Sequence, residues 1–173
     1  MLYESTRGKA QLVSAAEAIK MGIAPDGGLF VPCQQIKFTP DQLAQLVGLS
    51  YQEQALAILS LFLTDFTNSE LQECVNGAYH ADKFDHPRIA PLFKLNDSIH
   101  FLELWHGPTC AFKDMALQLL PLLLTTSMKK TGEAAEIVIL VATSGDTGKA
   151  ALEGFKDVAG TKIIVFYPDQ GVS

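Results

Sequence analysis

The run Glu136-Ile-Val-Ile-Leu-Val-Ala-Thr-Ser-Gly-Asp-Thr-Gly-Lys149 is the most informative part of this chain for the fold. Its apolar segment, residues 137–142, is rich in β-branched side chains and is typical of a buried strand in a parallel sheet. Small polar residues and glycine follow at once, and a helix is predicted to start near Thr147. Strand, loop and helix in this order indicate an α/β protein.

Similar signals lie on both sides of this unit. Ile99–Leu104 is predicted to be extended, Lys113–Met128 helical, and Thr161–Tyr167 a further strand. The resulting βαβαβ order predicts a parallel sheet with right-handed crossovers and with helices on both faces.

The first half of the chain is predicted to be mainly helical. Ser14 and Glu17 have the spacing of a capping box, and the helix from Ala15 to Met21 should stop at Gly22. A glycine turn and a short strand are predicted over Asp26–Pro32, with a purely structural role for Gly27 and Gly28. Three more helices are predicted at Thr39–Val47, Ser50–Leu63 and Asn68–Tyr79, which begin at Thr39, at Ser50, and at Asn68 with Ser69.

A proline-containing segment, Phe84–Arg88, interrupts the helical pattern and leads to Ile89–Phe93, which is predicted to be a linker into a second structural unit. We therefore expect residues 1–90 to form a mostly helical region and residues 91–173 to begin an incomplete α/β region.

Lys113 is the candidate catalytic residue. It lies between the turn His106-Gly-Pro108 and an apolar helix, directly after a predicted strand, where open α/β sheets bind ligands. Its amine can condense with an aldehyde or move protons. The structural alternative is a solvated charge in the first turn of a helix. His106 could help to orient a bound cofactor, but the sequence favours a turn histidine whose ring bonds to the backbone.

The loop after the central strand is the second candidate site. Ser144, Gly145, Asp146 and Thr147 would stand at a helix N-terminus, which favours anions such as a carboxylate or phosphate. The alternative is that Asp146 only caps the helix. The loop matches neither the Walker A pattern nor Gly-x-Gly-x-x-Gly.

Composition narrows the class of protein. The chain has 173 residues, 48% of them hydrophobic, and a net charge of −6, which argues against a nucleic-acid partner. The apolar stretches are too short to cross a bilayer, and the first eight residues lack the apolar core of a secretory signal, so we expect a cytoplasmic protein. The spacing of the cysteines and histidines predicts no metal site.

Four motifs resemble the threonine synthase family in matching order, and together they span nearly the whole chain. They are Tyr3-Glu-Ser-Thr-Arg-Gly8, Ala24-Pro-Asp-Gly-Gly-Leu-Phe-Val-Pro32, Leu102-Glu-Leu-Trp-His-Gly-Pro-Thr-Cys-Ala-Phe-Lys-Asp114 and Ala142-Thr-Ser-Gly-Asp-Thr-Gly148. Several motifs in register are far more specific than one.

The resemblance implies a pyridoxal-phosphate enzyme of fold type II, the tryptophan synthase β-like fold. Such an enzyme is a carbon–oxygen lyase that converts O-phospho-L-homoserine and water into L-threonine and phosphate. By resemblance, Lys113 holds the cofactor and moves protons, while Ser144, Gly145, Asp146 and Thr147 lie beside the cofactor and the substrate carboxylate. Arg7, with Ser5, is a candidate for the substrate phosphate, because a guanidinium suits that group; the alternative is a surface arginine.

The resemblance also implies that further sequence carries the loop for the cofactor phosphate. We therefore expect an N-terminal fragment with little activity by itself, and an open sheet edge that promotes self-association into a homo-oligomer. Two other functions remain open: a related pyridoxal-phosphate phospholyase or dehydratase, and a non-catalytic anion-binding module.

Overall fold

The computed structural model describes residues 1–170, which divide into two compact units. The first unit contains Met1–Val75 with Leu123–Ala134, and the second contains Asn76–Leu122 with the chain from Ala135 onward. These compact units divide the chain at positions other than residue 90. The domain boundary expected there remains a prediction.

The first unit combines a small sheet with helices. Strand β1 (Tyr3–Ser5) pairs antiparallel with β2 (Phe30–Pro32). The helices are α1 (Ala15–Met21), α2 (Pro40–Leu46), α3 (Tyr51–Phe62) and the start of α4 (Asn68–Ala78). The predicted helices are thus confirmed, and the core of this unit includes Ala15 and Ala16 of α1 with Leu71 and Val75 of α4.

The helix starts follow the capping rule with one correction. Complete capping boxes occur at Ser14, Thr39 and Ser50. In each, the hydroxyl of the cap residue accepts a hydrogen bond from the amide of the third helical residue, and the side chain of that third residue accepts one from the amide of the cap residue. Helix α4 is capped by Thr67 rather than by Asn68 or Ser69. The Thr67 hydroxyl accepts from the Glu70 amide at 3.3 Å, and the Glu70 carboxylate accepts from the Thr67 amide at 2.7 Å.

The second unit opens with a hairpin, which corrects part of the predicted topology. Strand β3 (Leu92–Lys94) pairs antiparallel with β4 (His100–Leu102), so β4 does not join the parallel sheet. The cause is the turn between them. The Asn96 side chain accepts from the amides of Ser98 and Ile99, both at 2.9 Å, and turns the chain back on itself.

The predicted long helix after Lys113 is divided in two. Helix α5 (Asp114–Leu117) is a single turn, and α6 (Leu120–Lys130) follows after a short break. Pro121 explains the division, since proline has no amide hydrogen to donate and is accepted only in the first turn of a helix.

The remaining elements give the predicted parallel unit. Strand β5 (Ile137–Ala142) pairs in parallel with β6 (Thr161–Phe166), and helix α7 (Asp146–Phe155) connects them. Helix α7 packs on one face of this pair. The opposite face exposes Leu140 and Phe166, at 65% and 59%, so within residues 1–170 the sheet is not covered on both faces as expected.

Candidate functional site

Lys113 stands at the first boundary of α5, where the structure partly buries it. Its backbone has helical angles, φ −63° and ψ −22°, and no side chain caps the turn at this position. The ammonium lies 4.4 Å from the centre of the Phe112 ring, a cation–π distance. The side chain is thus partly exposed, and its backbone has the helical conformation.

The residue after Lys113 fixes the loop from within. Asp114 is fully buried, and its carboxylate accepts from the Thr109 amide at 2.8 Å and from the Thr109 hydroxyl at 2.7 Å. Gly107 lies against the same side chain, since a Cβ there would stand 2.6 Å from the Asp114 Cβ. The segment from Gly107 to Asp114 thus closes around one carboxylate.

His106, at the start of this segment, bonds to carboxylates and not to the backbone as interpreted from sequence. Its Nδ1 lies 2.6 Å from Asp85 Oδ1 and its Nε2 lies 2.8 Å from Glu103 Oε2. The Glu103 hydrogen bond and then the Asp85 bond raise the pKa of His106 above its ordinary value. The ring is a bridge between two parts of the second unit.

The loop Ser144–Thr147 lies at the start of α7, and all four residues are exposed. Helix α7 begins at Asp146, and its N-cap is Gly145, which offers no side-chain cap. Asp146 therefore does not cap the helix, and that structural alternative is wrong. The loop is held by Thr143 instead, whose hydroxyl accepts from the Gly145 amide at 3.2 Å.

Helix packing within the second unit relates the two motifs. Helix α5, which starts beside Lys113, packs against α7, which starts at the loop. The contact is close, because a Cβ at Gly154 would lie only 2.1 Å from the Leu117 carbonyl oxygen. The lysine and the polar loop are thus attached to neighbouring helices.

Ser5 and Arg7 form a separate cluster in the first unit, arranged around Asp26. Ser5 is buried, and its hydroxyl donates to Asp26 Oδ1 at 2.6 Å while it accepts from the Arg7 amide at 3.2 Å. Arg7 is exposed and donates to the Asp26 carbonyl at 3.3 Å. Since its one hydroxyl proton is already used, Ser5 is suited to position Arg7 rather than to donate to a ligand.

Asp26 accepts more hydrogen bonds in this cluster than the sequence indicated. Its carboxylate also accepts from the amides of Gly28 and Lys9, both at 3.0 Å. The Ser5 hydrogen bond, followed by the Gly28 amide, holds the pKa of Asp26 below its ordinary value. Gly28 must remain glycine, because a Cβ would lie 2.1 Å from Ser5 Oγ.

Sequence reasoning missed the residues that support the site. No role was predicted for five of them, which were quoted only as parts of motifs or segments: Thr109, Thr143, Asp85, Asp114 and Asp26. A signal existed for Thr109 and Thr143, since hydroxyl residues often bond to nearby amides in loops. Asp85 carried none, because it lies 21 residues before His106.

Neither a metal site nor a membrane span is found among residues 1–170. No group of three or more histidine, cysteine or acidic side chains there could hold a metal ion. None of the helices described is long and apolar enough to pass through a lipid bilayer.

A family model and the sequences of known proteins match this chain, and the matches agree with one another. Residues 2–79 match the family described as "Threonine synthase N terminus". The whole chain is 39% identical to a threonine synthase of Methylobacillus glycogenes and 41% identical to one of Pseudomonas aeruginosa, but it spans only 38% and 36% of their lengths.

A solved structure agrees in fold. The structure described as PLP-bound threonine synthase from Brucella melitensis is 39% identical, with a TM-score of 0.91 over the whole chain, which covers 37% of that protein. This similarity confirms the α/β fold predicted from sequence. The chain therefore belongs to the threonine synthase family and corresponds to the N-terminal part of its members.

Proposed function

We propose that this chain contributes its part of the active site to a pyridoxal-phosphate-dependent threonine synthase. The reaction converts O-phospho-L-homoserine and water into L-threonine and phosphate. The observation that supports it most is the placement of Lys113, a partly exposed amine directly beside the turn that the Asp114–Thr109 hydrogen bonds close.

The residues present fit the proposed cofactor. An accessible primary amine suits an aldehyde, and the uncapped start of α7 suits an anionic or hydroxyl group. Lys113 would hold the cofactor, with Ser144, Gly145, Asp146 and Thr147 beside it. Pyridoxal phosphate, when bound, withdraws electrons from the substrate amino acid.

The chain's own groups then have distinct roles. The Lys113 amine would accept protons from the substrate carbon atoms and return them, as the uncharged form of a lysine can do. Ser144 and Thr147 donate hydrogen bonds to the substrate carboxylate, and Arg7 binds the phosphate that leaves. Ser5 keeps Arg7 in place through Asp26. We propose that the protein works in the cytoplasm and as a homo-oligomer.

The test is to locate the lysine that binds the cofactor. Pyridoxal phosphate is added to the chain, the visible absorption is recorded, borohydride is used to fix the bound cofactor, and the labelled peptide is mapped. We expect Lys113 to be labelled and Lys113→Ala to lose the absorption. Lys149→Ala, an exposed lysine in α7, is the matched control and should keep both.

Label on another lysine would contradict the proposal. The reaction itself is distinguished by product analysis with O-phosphohomoserine in a protein that carries this chain. Free threonine supports the proposal, whereas a keto acid would indicate a phospholyase or dehydratase.

A further inference from the structure

We propose that His106 is a positioning residue that bridges Glu103 and Asp85 as an imidazolium and thereby holds the segment Gly107–Asp114, which carries Lys113. The inference rests on the proposed function only for the role of Lys113. The bridge itself involves residues of the second unit alone.

The geometry requires a charged ring. Ionised carboxylates accept hydrogen bonds and donate none, and both ring nitrogens lie within 2.8 Å of a carboxylate oxygen. A neutral imidazole has one N–H and can donate to only one of them. Both bonds therefore exist together only while His106 is protonated.

The bridge attaches the start of the segment to two other places. Glu103 directly follows β4, and Asp85 lies in the turn after α4. The Asp85 amide also donates to the His106 carbonyl at 3.1 Å, so the two residues are joined by backbone and side chain. Asp114 and Thr109 hold the other end. Lys113 lies between two anchors and has no cap of its own.

The titratable groups that face His106 among the described residues are Glu103, Asp85 and His86. The His86 ring lies 5.0 Å from the His106 ring between centres, tilted by 44°, and its Nδ1 accepts from the Arg88 amide. The Glu103 side chain is 22% exposed and that of Asp85 is 79% exposed. Because solvent screens the ion pair of His106 with Asp85 more strongly, the ion pair with Glu103 contributes most of the electrostatic stabilisation of the bridge.

The bridge is stable at low pH and is lost as the pH rises. The folded pKa of His106 is raised, so the bridge is complete below the ordinary histidine pKa of about 6.5 and is lost as pH rises through the folded value. Above that value the ring keeps a single donor. The segment with Lys113 then loses one of its anchors.

The first measurement is an NMR titration of the histidine rings in the 173-residue chain. We expect a midpoint for His106 above about 6.5. Glu103→Gln should lower this midpoint, because it removes the largest cause of the raised pKa, and Asp85→Asn should lower it by less. A midpoint for His106 that Glu103→Gln does not change would overturn the proposal.

The second measurement is amide hydrogen exchange in residues 107–114 as a function of pH, expressed as protection factors. We expect protection to fall by about tenfold as His106 loses its proton, and to be low at every pH in His106→Gln. His100→Gln, which removes an exposed histidine on β4, is the control and should match the unmodified chain. If His106→Gln does not fold, Glu103→Gln gives the same information, because the loss of protection should move to lower pH with the titration.

Borohydride labelling separates this inference from the proposed function. The ratio of pyridoxal-phosphate label on Lys113 to that on the exposed Lys37 should fall with the same midpoint. Protection that follows His106 while the label lies on another lysine would keep the bridge and reject the role of Lys113. Protection that stays constant while His106 titrates would reject the bridge.

Discussion

Asp114 illustrates what a single buried residue does in this protein. Its carboxylate is fully buried and satisfied by two donors of Thr109, one from the backbone and one from the side chain. A buried carboxylate is stable only when its hydrogen bonds are made. Asp114 and Thr109 therefore depend on each other, and Lys113 takes its position from the pair.

Substitutions of Thr109 and of Asp114 should lower the free energy of unfolding by different amounts. Thr109→Val removes one hydroxyl and should lower the free energy of unfolding by about 1 kcal/mol more than Thr109→Ser does, because serine keeps the hydroxyl. Asp114→Ala leaves two buried donors unsatisfied and should lower it by about 3 kcal/mol. Urea denaturation measures both differences. Equal stability of the valine and serine variants would show that the hydroxyl bond contributes nothing.

At the scale of helices and strands, local sequence rules predicted much of the structure. The capping boxes at Ser14, Thr39 and Ser50 are visible in sequence because both partners lie within four residues. The pairing of β4 was not predicted, since it depends on which strand the Asn96 turn brings beside it. The polar loop at Ser144 was found by its position after a strand, whereas the anchors of the Lys113 segment depend on tertiary contacts that sequence spacing does not reveal.

Thr67 offers a direct test of the corrected helix start. Thr67→Ala removes the acceptor for the Glu70 amide and should lower the free energy of unfolding by about 1 kcal/mol. Ser69→Ala alters an exposed residue inside the same first turn and should change it by less than about 0.5 kcal/mol. Thermal or urea unfolding compares them. A larger effect at Ser69 would return the cap to the position predicted from sequence.

Gly154 tests the packing of α5 on α7. Alanine favours a helix over glycine by about 1 kcal/mol, but a Cβ here would stand 2.1 Å from the Leu117 carbonyl oxygen. Overpacking against backbone costs about 1–3 kcal/mol, so we expect Gly154→Ala to destabilise the protein. Gly77→Ala, inside α4, is the control, since a Cβ there would meet only the end of the Leu122 side chain, at 3.1 Å. Circular dichroism melting measures both, and a Gly154→Ala variant as stable as the parent would contradict the close packing.

At the scale of the whole molecule, hydrogen-bonded carboxylates give the stability a characteristic dependence on pH. Contacts with Ser14, Ser50, Thr67 and Ser5 hold the pKa values of Glu17, Glu53, Glu70 and Asp26 below their ordinary values. Each contribution is complete above the ordinary carboxyl pKa of about 4 and is lost as pH falls through the lower folded value. Stability should therefore decrease on the acid side.

Asp26→Asn should make this decrease shallower. The amide cannot titrate, and its nitrogen cannot accept from the Lys9 amide as Asp26 Oδ2 does. Asp169→Asn, a change at an exposed carboxylate, is the control and should keep the acid slope of the parent. The slope is measured by urea denaturation at a series of acidic pH values. An unchanged slope in Asp26→Asn would remove Asp26 from the explanation.

The close contact of Gly154 with Leu117 also determines when Lys113 acquires its structure during synthesis. Helix α5 has four residues, far fewer than the roughly 12–15 that an isolated helix needs in water. Part of its stability therefore comes from packing on α7, which the ribosome makes later. A nascent chain that has released Lys113 but not yet Gly154 has the hydrogen bonds of Asp114 and His106 but lacks this packing, so α5 is completed only after α7 has been made.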